Sequence, residues 1–143
     1  MDKLIKTLHE GNYSCVIENS GKTYTFNQRG VADLYDLVKN QRDILKNARV
    51  ADKVVGKGAA ALMILGGISQ LYTDTISQPA LALLHETGIQ TDYEHVVPFI
   101  YNRDKTGWCP VEQMCHEETS VETIFSLIEK FLYSIKNNGI KGK

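Results

Sequence analysis

Apolar positions along the chain switch repeatedly between a helical and an alternating period, and the switches mark out its elements. Leu4, Ile5 and Leu8 fall at helical spacing and predict a helix over Asp2–Glu10, stopped by Gly11. Tyr13–Glu18 and Thr23–Asn27 are rich in β-formers and flank Asn19-Ser20-Gly21-Lys22, which reads as a hairpin. Val31, Leu34, Tyr35, Leu37 and Val38 give an amphipathic helix over Val31–Lys39. A strand over Ala48–Val55 then leads to a buried helix over Gly58–Leu65, ended by Gly66-Gly67. Ile68–Ile76 reads as the next strand, followed by a helix over Pro79–Thr87 and a last strand over Ile89–Val97. Proline in that helix's first turn and Gly88 past its end are the expected punctuation. Thr119-Ser120-Val121-Glu122 has capping-box spacing, with Thr119 at the N-cap. It opens the longest helix, whose stripe is Val121, Ile124, Phe125, Ile128, Leu132 and Ile135.

A hairpin followed by β-α-β units predicts an α/β domain, with three α/β/α layers around a mixed sheet of about five strands. The 143 residues, 43% of them hydrophobic, suit one domain over 1–143. A net charge of −1 and a pI of about 6.4 favour neither nucleic acid nor an anionic membrane as partner. Gly58–Leu65 is too short to span a bilayer, and no long apolar run follows Met1 as a secretory leader would. Cys15, Cys109 and Cys115 are odd in number and match no disulfide framework, which points to a reducing, cytoplasmic setting.

The candidate chemistry gathers at turns. In Gly56-Lys57-Gly58 the glycines would let backbone approach a ligand, and the following helix offers free N–H groups to an anion. Lys57 adds a charge, or a base if desolvated. The turn lacks the spacing and the Ser/Thr of a Walker loop, and an exposed lysine in a tight β-α turn is its bland meaning. Asp52 and Lys53 precede it among apolar neighbours, so Asp52 needs a partner or a cavity; it could orient Lys57, hold a ribose hydroxyl, or form a structural ion pair. Arg29, between hairpin and helix, could reach a phosphate bidentately or lie free on the surface. In Trp108-Cys109-Pro110-Val111-Glu112, Cys109 takes the N-cap, Pro110 the first turn and Glu112 the third position. A thiol there is activated as a nucleophile, an effect that Glu112 opposes; burial as a compact hydrophobe is the commoner use. That commoner use is taken for Cys15. On one helix Cys115 lies about 240° around from Cys109 and His116 about 10 Å up the axis, so no single metal joins them.

The runs Phe26–Tyr35, Ala51–Met63 and Thr106–Glu112 resemble a small prokaryotic domain-of-unknown-function family with a cytidine deaminase-like fold. The resemblance covers nearly the whole chain and implies that fold, without an activity. Within the deaminase-like superfold, Gly56-Lys57-Gly58 falls where His-x-Glu opens a helix, and Ser77-Gln78-Pro79-Ala80 where Pro-Cys-x-x-Cys stands. Zinc deaminases need those ligands and the Glu as general acid/base. None is present at either turn, which argues against hydrolytic deamination. The superfold's zinc-free members show that chemistry can outlast the metal, so whether the chain is an enzyme stays open.

The reading is a zinc-free domain, without cofactor, that binds a small anionic or nucleotide-like metabolite at the strand ends. The pocket is expected between the Gly56–Gly58 turn, the Ser77–Pro79 turn and the loop from Tyr101 to Cys109. Lys57 and Cys109 are the candidate catalytic residues; Arg29, Asp52, Gly56, Gly58 and Gln78 are the candidate ligand-binding ones. Two alternatives stand beside it: a non-catalytic homodimeric interaction module, and a thiol or redox role for Cys109 with Cys115.

Overall fold

The computed structural model describes residues 1–28, 30–101 and 106–141, and side chains as far as residue 135. Its elements, in chain order, are α1 (Asp2–Glu10), β1 (Cys15–Asn19), β2 (Lys22–Phe26), α2 (Ala32–Asn40), α3 (Arg42–Leu45) and β3 (Arg49–Val55). There follow α4 (Lys57–Gly66), β4 (Gln70–Ser77), α5 (Gln78–His85), β5 (Gln90–Val97), α6 (Pro110–Cys115) and α7 (Val121–Lys141). The hairpin turns through left-handed backbone at Ser20 and Gly21, with φ of 53° and 81°, the geometry that matches strand twist. Gly67 closes α4 at φ 79°, its N–H on the carbonyls of Met63 and Ile64.

The strands form one mixed sheet in the order β2-β1-β3-β4-β5. β1 runs antiparallel to β2 and β3, whereas β3, β4 and β5 are parallel. The main core lies on the face of Ile17, Val50 and Leu71, beneath α2, α4 and α5. α4 is buried along most of its length because α2, α3, α5, α6 and α7 all pack on it. On the opposite face α1 buries Leu4 and Leu8 against Val16, Ala51 and Tyr72. Strand alternation sends neighbouring residues to these two cores.

Three features depart from the sequence reading. α3 was not foreseen. α7 begins one residue later than the capping box placed it, since Ser120 Oγ, not Thr119, accepts the Thr123 N–H at 3.3 Å. The stripe of α7 is buried at Ile124 and Ile128 but ends with Ile135 half exposed, beyond the packed helices.

Candidate functional site

The carboxyl end of β3 delivers the chain through Gly56 into α4, where the helix tip was expected to hold an anion. It holds one from within the chain. Glu112, on α6, is 2% exposed and accepts the Lys57 N–H at 2.9 Å and the Ile100 N–H at 2.7 Å. Pro110 starts α6 with Cys109 at its N-cap, so Glu112 stands at the third position as the sequence implied. Its carboxylate, however, caps the neighbouring helix. A helix N-terminus favours such a charge, and two charge-assisted N–H bonds compensate its burial. The glycines admit α6. A Cβ at Gly58 would lie 2.5 Å from Val111 Cγ1, and one at Gly56 3.2 Å from Glu112 Oε2.

Lys57 also turns inward. It is 7% exposed, and its Nζ donates to the His116 carbonyl at 2.9 Å, at the far end of α6. The ammonium thus ties α4 to α6 and does not line the cavity described next.

A cavity of about 790 Å³ opens between the hairpin, the start of α2, the end of β3 and the start of α6. Ile17, Phe26, Val31, Leu34 and Leu37 give it apolar walls. Its polar floor is Asp52 beside Cys15. These two are register partners across β1 and β3, on the main-core face, and are 8% and 6% exposed. Asp52 accepts the Val54 N–H at 3.2 Å and the Cys15 thiol. Burial pushes the Asp52 carboxyl up to about 7, against the lowering pull of the Val54 N–H, the Cys15 thiol and the Lys53 N–H. Burial, and then the neighbouring Asp52, raises the Cys15 thiol well above its ordinary value. At the rim, burial and then Asp36 raise Asp33, which the Gln28 N–H partly offsets. Among the described residues Lys53 is the lining's one cation, and its Nζ donates to Asn12 Oδ1.

Of the residues singled out from the sequence, Asp52, Gly56, Gly58 and Cys109 meet at this cavity, whereas Lys57 does not. Lys57 and Cys109 are therefore not brought to one pocket. Gln78 is exposed at the start of α5 and is not among the lining residues; neighbouring Ser77 caps that helix, accepting the Ala80 N–H at 3.2 Å. The pocket thus borders the hairpin rather than the Ser77–Pro79 turn. Arg29 lies outside the described residues. The sequence reading makes Cys15 a compact hydrophobe and Glu112 a third-position residue opposing the Cys109 thiol, and it does not single out Asp33. Tyr72 and Asp74 lie on the α1 face, where Asp74 Oδ1 is 2.6 Å from the Tyr72 hydroxyl and 2.8 Å from His9 Nε2. Cys115 is fully buried, its thiol raised to about 11 chiefly by burial, with Lys57 pulling the other way. Among the described residues no three His, Cys, Asp or Glu side chains converge as a metal site. Among them, too, no helix is long and apolar enough to cross a membrane.

Comparison with known proteins gives the family without an activity. No curated protein matches the chain. A solved structure of a DUF1893 family protein (TM1506) from Thermotoga maritima is 26% identical, with a TM-score of 0.83. The match covers 90% of this chain and 87% of that one. The family model described as Domain of unknown function (DUF1893) matches residues 3–132. A match of that extent settles membership: the chain belongs to the DUF1893 family.

Proposed function

We propose that this chain binds a small metabolite of nucleoside size on a zinc-free deaminase-like scaffold, with the ligand seated over Cys15 and Asp52. The carrying observation is the cavity of about 790 Å³ beside the carboxyl end of β3. Ligand sites of α/β sheets favour that end of the strands, and small-molecule pockets span roughly 300–1,000 Å³. A hairpin leading into parallel β-α-β units supports the deaminase-like reading. The two turns where zinc ligands would stand carry Lys57, Gly58 and Ala59 at one and Gln78, Pro79 and Ala80 at the other. These side chains do not suit zinc, so no metal step is part of the proposal. Of the ligand types the sequence suggested, a compact body with hydrogen-bonding edges fits better than a bare anion. Glu112 already fills the α4 tip, and the described lining carries Asp33, Asp52 and Glu112 against Lys53 alone. Cys109, half-buried, also lines the wall of this cavity.

A thermal-shift panel of nucleosides and nucleotides tests this, with the wild type and Val54→Trp. Val54 lines the cavity yet is 47% exposed, so tryptophan there blocks the mouth without invading the core. At least one nucleoside should raise the wild-type melting temperature and leave Val54→Trp unmoved. No shift in the wild type, or equal shifts in both proteins, would refute the proposal.

A second reading, self-association, has its own observation. β5 is an edge strand of eight residues with Tyr93 and Val96 more than 40% exposed. Among the described residues no strand pairs with its outer side, which can template a further one. Light scattering that finds a dimer, lost in Val96→Lys, would favour the interaction module; a monomer at every concentration removes it.

A further inference from the structure

Asp52 is a buried acid that no cation among the described residues faces. Cys15 lies across on β1, Asp33 looks in from α2, and Cys109 and Glu112 come from the α6 segment. Lys53, next along β3, donates to Asn12, and Asp74 adds repulsion from β4. The counter-charge is thus missing from every described neighbour, although a buried carboxylate needs one. Glu112 differs, because helix and loop N–H groups hold its carboxylate. The cavity of about 790 Å³ leaves room beside Asp52 for a small molecule.

Building on the proposal that this cavity binds a ligand, we infer that the ligand is a small molecule carrying a planar cationic nitrogen group, an amidine or guanidine, on an apolar body, and that Asp52 is its counter-ion. Such a group presents paired N–H donors that match a carboxylate bidentately. Ile17, Phe26, Leu34 and Leu37 would enclose the apolar part. The thiol of Cys15 holds the carboxyl in place and offers no competing positive charge. Binding has a signature that a purely structural acid lacks. Free Asp52 titrates near neutrality, so a cation entering below that point drives out its proton.

The test uses benzamidine with its neutral isostere benzamide and its anionic isostere benzoate, by calorimetry on the wild type, Asp52→Asn and Val54→Trp. Titrations at pH 6 in two buffers of different ionisation heat read the proton released. Benzamidine should bind most tightly of the three, gain affinity as pH rises towards neutrality, and release a proton. Asp52→Asn, close to isosteric, should weaken it by on the order of 30-fold and abolish the release. Benzamide or benzoate binding as well as benzamidine would overturn the inference, as would no benzamidine binding at all. So would benzamidine binding that Val54→Trp leaves intact, since it would lie elsewhere. An Asp52 titrating in the ordinary carboxylate range in the free protein, followed by carbon NMR, would show that the chain supplies its own cation and equally overturn it. Each of these failures leaves the nucleoside panel, and with it the cavity reading, to be judged separately.

Discussion

Asp52 ties the cavity to pH. Its carboxyl is raised from the ordinary 3.8 to about 7 in the folded chain, mainly by burial. The folded state therefore holds a proton that the unfolded chain has released between those values. Stability contributed here is complete below about pH 4 and declines as pH rises through about 7, by on the order of 4 kcal/mol in all. Asp52→Asn should flatten that slope, becoming more stable than the wild type at pH 8 while differing little at pH 4; urea unfolding at the two pH values measures it. Glu112 matters to the fold as a cap, through the N–H groups of Lys57 and Ile100. Glu112→Ala strands the buried Lys57 N–H and the partly buried Ile100 N–H and opens a void, and should cost about 3 kcal/mol in the same assay. Asp52 could be singled out from its sequence because a charge amid apolar strand residues is visible locally. Cys15 could not, because its role depends on the β1–β3 register. The partner of the α4 tip could not either, since Glu112 and Lys57 lie 55 residues apart and their chemistry shows no periodicity.

Among the elements, α4 is the one most constrained by its neighbours. The sequence marks it well, as an apolar run between glycines, because a helix covered on all sides needs no polar face. α3 escaped notice because four residues, Arg42–Leu45, are too few to show a helical period. Yet α3 is what makes Gly66 necessary. A Cβ at Gly66 would come within 2.8 Å of Leu45 Cβ and 2.6 Å of its Cδ1. Alanine favours a helix by roughly 1 kcal/mol, but a clash with a neighbour's Cβ cannot be relieved by rotating a side-chain end. Gly66→Ala should therefore lose about 2 kcal/mol, and Leu45→Ala made alongside it should cost less than the two single changes summed. A double-mutant cycle by urea unfolding reads the coupling. The capping box before α7 misplaced the helix start by one residue because Thr119 and Ser120 are chemically equivalent caps, and only backbone geometry chooses between them.

At the scale of the whole chain, the alternation of strands and helices was enough to give the mixed sheet, because β-α-β connections admit few arrangements. The siting of the cavity was not, since it depends on which helices leave a gap over the sheet. One further consequence lies in the four rungs that join Cys15–Glu18 to Arg49–Asp52. They work as a ruler, fixing the separation of the floor residues from the sheet itself rather than from the hairpin's length. Asn19 pins the far end by donating to the carbonyls of Asp43, Ile44 and Lys46. Beyond that pin, Ser20 and Gly21 project into solvent. A short flexible graft spliced between them should cost under about 1 kcal/mol in urea unfolding, which makes the tip a natural mount for a reporter dye.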